Sequence, residues 1–138
     1  MTTLTANTRF AAPHLVELDG DQIWLRGGKC RSCGELSFPL SSICWHCRAE
    51  VMEPVRLSRN GKLYAFSVVH AAPKGWRVPY VLGYVDLDDG IRVIGQIEGD
   101  PKKLHPDTAV RLDFGVIRGD ADGTPIYSYV FVSDQGEG

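Results

Sequence analysis

Between residues 63 and 132 apolar residues gather in five β-type runs separated by turn-forming residues, and in several of them they recur at every second position. The runs are 63–70 (LYAFSVVH), 80–87 (YVLGYVDL), 91–97 (IRVIGQI), 110–117 (VRLDFGVI) and 126–132 (IYSYVFV). A period of two belongs to pleated strands with one face buried. Val81, Gly83, Val85 and Leu87 share a face in the second run, and Ile91, Val93, Gly95 and Ile97 in the third. In the fourth, Val110, Leu112, Phe114 and Val116 oppose Arg111, Asp113 and Gly115. The fifth carries an aromatic stripe, Tyr127, Tyr129 and Phe131, suited to a barrel interior, a partner subunit or stacked bases. Asp88-Asp89-Gly90 and residues 120–123 (DADG) are tight-turn chemistry, which predicts hairpins between runs two and three and between four and five. Five short antiparallel strands with one polar face predict a small barrel that removes its own edges. Five is the strand count of an OB-fold; an SH3-like barrel is the competing architecture. Pro101 and Pro106 leave the 98–108 connection room for little more than one helical turn.

Upstream the pattern is shorter and less regular. Residues 14–18 (HLVEL) predict one turn of helix, broken by Asp19-Gly20-Asp21, and residues 22–26 (QIWLR) a strand running through Gly27-Gly28 into the first cysteine. Leu15, Val16, Leu18, Ile23 and Trp24 need a surface to cover, either within this chain or on another. Intramolecular packing is the expectation for Ile23 and Leu25, whereas Trp24 is open between that and a partner contact. The resulting organisation is a lead-in (1–29), a cysteine-bearing module (30–54), a barrel (55–134) and a tail (135–138), with residues 2–8 and 133–138 frayed.

All four cysteines fall in one stretch, Cys30-Arg-Ser-Cys33 and Cys44-Trp-His-Cys47. Paired C-x-x-C motifs across a short insert have the ligand spacing of a structural zinc site, because four thiolates held tetrahedrally around one ion solve the burial of all four together. The insert contains Phe38-Pro39-Leu40 and Ser41-Ser42, which suits the extended hairpin of a zinc ribbon. His46 is a competing ligand, though its backbone is committed to wrapping the metal. Two disulfides or a redox pair are the other reading of the cysteines, without a signal segment to support it. Four protein ligands close the coordination sphere, so such a zinc builds structure and does not activate water.

Length, 138 residues, and 43% apolar content allow a real core, most of which must lie outside so small a ribbon. A formal charge of -2 with interspersed signs argues against a surface made chiefly for phosphate backbones. The apolar runs fall well short of the roughly 18 residues of a membrane helix, and the amino terminus lacks a signal-peptide pattern, so a cytoplasmic protein is expected.

The order of parts resembles the zinc-ribbon OB-fold family known as DUF35. The residues that carry the resemblance are Cys30-x-x-Cys33-Gly34 with Phe38-Pro39, Cys44-x-x-Cys47, Gly61-Lys62-Leu63-Tyr64 with Ser67, Pro79-Tyr80-Val81, and Val85-Asp86-Leu87 with Gly90. Arg48 stands where the first knuckle has Gly34. The resemblance implies a rubredoxin-like ribbon followed by an OB-fold, and a non-catalytic partner of a thiolase-fold protein that supports acyl-CoA binding. One branch consists of small subunits of the benzoylsuccinyl-CoA thiolase type, acting on aromatic β-oxoacyl-CoA esters in anaerobic toluene breakdown; others pair with synthases or aldolases.

Against that background residues 70–79 (HAAPKGWRVP) are the most chemically loaded loop. Lys74 and Arg77 can meet phosphates, Gly75 permits close backbone approach, and Trp76 offers a flat face to an adenine or aromatic acyl group. A plain surface loop anchored by its tryptophan is the alternative. Lys102-Lys103 with His105 is a weaker basic patch. There is no G-x-S-x-G, every cysteine is spoken for by metal, and His70 is a lone histidine, so no catalytic residue is assigned. Trp24, Tyr127, Tyr129 and Phe131 are the expected partner interface. Single-stranded nucleic-acid binding on the aromatic stripe is the alternative function.

Overall fold

A computed structural model describes residues 9–133. It is built from nine strands and one 3-10 turn. No helix among the described residues is long and apolar enough to cross a membrane.

The lead-in does not make the helical turn expected over 14–18. Pro13–Leu15 is a single 3-10 turn, and β1 (Val16–Asp19) follows directly as a strand. Partner pairing decides this: Val16 to Asp19 pair antiparallel with Leu25 to Gln22 of β2 (Gln22–Cys30), around a two-residue turn in which Gly20 takes φ +61°. β2 continues to the first cysteine and pairs on its other stretch with β3 (Leu36–Ser37) and β4 (Met52–Arg56). The lead-in and the cysteine-bearing hairpin therefore share one sheet.

The remaining strands, β5 (Asn60–Val69), β6 (Tyr80–Leu87), β7 (Arg92–Glu98), β8 (Ala109–Gly119) and β9 (Pro125–Ser133), close in the order β5-β6-β7-β9-β8. β7 and β9 run parallel, every other pair antiparallel. This is the five-stranded Greek-key closure of an OB-fold. The alternation along β6 and β7 is as the sequence predicts, with Val81, Gly83, Val85 and Leu87 buried, and Val93, Gly95 and Ile97 buried opposite them. Two bulges break it elsewhere. One at Tyr64 puts Leu63 and Phe66 on the inner side; one between Val116 and Arg118 turns Ile117 inward, where strict alternation would place Val116. Ser133, read as frayed, is 1% exposed at the end of β9 and pairs with Val110. The rest of the segments expected to fray, 2–8 and 134–138, lies outside the described residues.

One core spans both parts. Val16, Ile23, Leu25 and Leu57 belong to the same buried cluster as the barrel residues Leu63, Val85, Leu112 and Phe131. Polar contacts stitch the joint. The Leu57 amide donates to Leu25 O (3.1 Å), and the Arg59 guanidinium donates to Ile23 O (3.1 Å) in β2 and Leu112 O (3.3 Å) in β8. Gly27 is required there: a Cβ would lie 2.7 Å from Ser37 O and 2.8 Å from the Leu57 side chain.

Candidate functional site

The two C-x-x-C segments fold into matching knuckles. In the first, the Gly34 amide donates to Cys30 O (2.9 Å) and the Cys30 amide to Glu35 O (2.9 Å); in the second, Arg48 donates to Cys44 O (3.0 Å) and Cys44 to Ala49 O (2.9 Å). Each closes on a left-handed residue, Gly34 at φ +82° and Arg48 at φ +65°. The second knuckle therefore holds a side chain where glycine is the unstrained choice. Amides of His46 and Cys47 point at Cys44 Sγ, at 3.4 and 3.5 Å.

These turns bring the four Sγ atoms within 4.8 Å of one another, with Cys30 to Cys47 and Cys33 to Cys44 both at 3.6 Å. Four sulfurs at the usual zinc–sulfur distance form a tetrahedron with edges of about 3.8 Å, so the cluster fits zinc. The sulfurs are free thiols, which sets aside the disulfide reading, and the His46 ring lies edge-on to Trp45 at 5.3 Å, outside the cluster. The electrostatics agree with a cation at the centre. The Cys33 amide, more than any other group, draws the Cys30 thiol down to about 6, and the Cys47 amide lowers Cys44. At Cys33 the Glu35 amide pulls the same way, but burial and the neighbouring Cys44, Cys47 and Cys30 sulfurs outweigh it and push the thiol up to about 12. Successive thiolates crowd each other, and a dication is what lets all four ionise.

The 70–79 loop folds back onto the end of β8. Gly119 donates to Gly75 O (2.8 Å) and Arg77 to Ile117 O (3.1 Å), which pairs Trp76 with Arg118. Gly75, at φ +97°, has no room for a Cβ, which would meet Gly119 O at 2.6 Å. Of Lys74, Gly75, Trp76 and Arg77 only the last two line cavities, one each, and Tyr80 and Gln96 form a wall common to both. Trp76 stacks on Tyr80 (5.9 Å, 30° between planes) in a cavity of about 270 Å³, whereas Arg77 lines one of about 300 Å³ that also holds Glu98. Arg77 Nη1 donates to Val116 O (3.3 Å), and Lys74 is exposed. His70 is exposed at the end of β5.

The residues read as an interface are largely occupied inside the chain. Phe131 is 0% exposed, in the barrel core against Gly95, and is not available to a partner. Tyr129 donates its hydroxyl to Ile94 O (2.7 Å) and meets Phe38 of the ribbon edge-on at 6.0 Å. Tyr127 packs with Phe10 and Phe114, because residues 9–11 run beside β9. Trp24 is half-buried, with the Arg56 and Arg59 guanidinium groups 5.2 and 5.4 Å from its ring centre, and Arg56 is itself tied to Glu17 and Asp19. Three aromatics that were not read as an interface are exposed, Trp45, Tyr64 and Tyr84; Trp45 is the most exposed of them at 64% and is fixed by its Nε1 bond to Leu36 O (3.0 Å). It lines an open groove of about 770 Å³ between the ribbon and the Asp89-Gly90-Ile91-Arg92 turn. The sequence reading gave Trp45 no role; its place inside a C-x-x-C knuckle, where the backbone wraps the sulfurs, is the signal that could have marked it, and the groove left no signal in the sequence.

Two family descriptions match consecutive stretches of the chain: the rubredoxin-like zinc ribbon domain of ChsH2 over residues 20–53, and its C-terminal OB-fold domain over 54–115. The benzoylsuccinyl-CoA thiolase subunit BbsA of Thauera aromatica is 42% identical over 124 residues, covering 88% of this chain and 86% of that one. A DUF35 domain-containing scaffold protein of Methanocaldococcus jannaschii is 38% identical over 112 residues, 78% of this chain and 79% of that one. Among solved structures, the Ltp2-ChsH2(DUF35) aldolase is similar with a TM-score of 0.65 and 27% sequence identity, covering 80% of this chain and 84% of that chain.

Proposed function

Because the chain belongs to the DUF35 family, with the zinc ribbon and OB-fold of ChsH2, we propose that it is a non-catalytic auxiliary subunit of a thiolase-type acyl-CoA complex. The observation that carries this reading is the 42% identity, over nearly the whole of both chains, to a protein named as a thiolase subunit. The chain's own chemistry supports it. Its four cysteines converge on one metal site, which leaves no thiol to act as a thiolase nucleophile.

In this reading a thiolase-fold partner supplies the nucleophile and the acid/base groups. The present chain supplies a zinc-stiffened scaffold for assembly, and the rim of Lys74, Gly75, Trp76 and Arg77 helps hold the acyl-CoA. The substrate class is a β-oxoacyl-CoA ester, aromatic by analogy with the Thauera relative, handled in the cytoplasm where such esters are made. Trp45, exposed and hydrogen-bonded in place, is the side chain best prepared to anchor a partner, since a rigid aromatic loses little freedom on contact. The burial of Phe131 and the bond from Tyr129 to Ile94 O favour the subunit reading over stacking of bases on that stripe.

Co-expression with a thiolase-fold protein from the same genome tests the proposal. A hetero-oligomer on sizing, and thiolysis that depends on this chain, are expected. Full activity of the thiolase alone, with no complex formed, would sink it.

A further inference from the structure

The cavity beside Trp76 is better equipped than a surface cleft needs to be. It opens where β7 and β9 part company, just before the Gln96↔Val130 pair, and its walls include the stacked rings of Trp76 and Tyr80 together with Leu82, Ile94 and Tyr129. Two neutral polar side chains, Gln96 and Ser128, also line it, and neither has a hydrogen-bond partner among the described residues. Arg118 stands across from Trp76. The bonds from Arg77 to Ile117 O and from Gly119 to Gly75 O flank that pair, which makes it the close, non-hydrogen-bonded type whose two side chains rise from the same face. Arg118 likewise has no ion-pair partner among the described residues.

We propose that this slot takes the adenine ring of a nucleotide-bearing ligand, with the phosphates turned toward Arg118. The assignment deepens the acyl-CoA reading and rests on it for the identity of the complete ligand. Three features select the class. At about 270 Å³ the cavity is below the roughly 300–1,000 Å³ of a site for a whole drug-sized ligand, so it suits one ring system with the rest of the molecule outside. The Trp76 and Tyr80 rings offer a stacking surface for a planar base. A glutamine amide presents a donor and an acceptor side by side, the complement of an adenine amino group and its neighbouring ring nitrogen. A benzoyl ring in the same slot would leave Gln96 and Ser128 unpaired. Arg118, with its planar fork of donors, complements a diphosphate, whereas Arg77 shares its cavity with the Glu98 carboxylate.

The test uses the full zinc-loaded chain with ADP, adenosine and benzoyl-pantetheine as probes, by calorimetry and by saturation-transfer NMR. ADP is expected to bind with its adenine protons saturated by the protein. Gln96→Leu should weaken both ADP and adenosine by about tenfold, and Arg118→Gln should weaken ADP while leaving adenosine unchanged. Unaltered melting of both variants separates lost binding from lost fold. Benzoyl-pantetheine competing for the slot, or ADP affinity insensitive to Gln96→Leu, would overturn the assignment. If ADP does not bind although the chain still assembles with and stimulates its thiolase, the slot is wrong and the subunit reading stands. ADP binding without any thiolase complex would give the converse.

Discussion

Arg59 is a single side chain placed to hold the ribbon sheet onto the barrel, and replacing it by alanine measures how strongly the two are coupled. Its guanidinium donates to Ile23 O at 3.1 Å and to Leu112 O at 3.3 Å, carbonyls in strands from different sheets, and it lies 5.4 Å from the Trp24 ring centre. Charge-assisted bonds contribute about 1.5–3 kcal/mol each. Both are long and half-buried, so the lower figure applies, about 3 kcal/mol together. The cation–π contact adds about 0.5–1 kcal/mol. Arg59→Ala should therefore destabilise by about 3–4 kcal/mol, a fall in Tm of about 10–15 °C for a chain this size. Scanning calorimetry of the zinc-loaded protein reads it directly, and a broadened or split transition is expected as the ribbon and barrel begin to melt separately. Arg59→Lys, able to reach one carbonyl at a time, should recover about half. A loss under about 1 kcal/mol for Arg59→Ala, with one sharp transition, would refute the clamp and leave the shared apolar core as the whole of the coupling.

Gly61→Ala should destabilise the barrel by more than about 2 kcal/mol, because the added Cβ would lie 2.6 Å from Asp86 O and 3.0 Å from Leu87 Cα, backbone atoms that cannot yield. Gly119→Ala, with nothing within 4 Å, is the control, and urea melts of the two should differ accordingly. Arg48→Gly relieves a left-handed backbone at φ +65° and should raise the Tm of the holoprotein by a few degrees with zinc content unchanged; an equal or lower Tm would deny any strain there. Cys33→Ser removes one of four converging sulfurs. Elemental analysis should find well under one zinc per chain, with loss of solubility and of complex assembly, and a fully active complex from this variant would show the metal dispensable.

The zinc centre was legible residue by residue, since ligand type, number and spacing are properties of the chain and the chemistry of four thiolates allows few other outcomes. Arg48 was legible as the odd residue of its knuckle, because the two C-x-x-C segments can be laid over each other. The five barrel strands were legible for a similar reason: burial of one face writes a period of two into the sequence. What periodicity could not carry was anything decided by a neighbour far along the chain. Residues 14–18 have the composition of a helical turn, yet β2 offered Val16 to Asp19 a pairing edge, and a strand won. The bulge between Val116 and Arg118 turned Ile117 inward where alternation pointed to Val116.

The same division separates the candidate site from its sequence. Lys74, Gly75, Trp76 and Arg77 are neighbours in the chain and read as one phosphate-and-ring-binding unit. In an extended segment, however, adjacent side chains leave by opposite faces, and Trp76 and Arg77 end up lining different cavities. The groups that join Trp76 come from elsewhere, Arg118 by strand pairing and Gln96 and Ser128 by the separation of β7 and β9. Tyr127, Tyr129 and Phe131 were an undirected stripe until closure between β7 and β8 put Phe131 in the core and residues 9–11 covered Tyr127. Local chemistry, a metal knuckle or a tight turn, was complete in the sequence because its partners lie within a few residues. Which aromatic is core, which cation faces which cavity, and where the ribbon rests on the barrel were left to long-range pairing, whose energy depends on residues that meet only after the chain has closed.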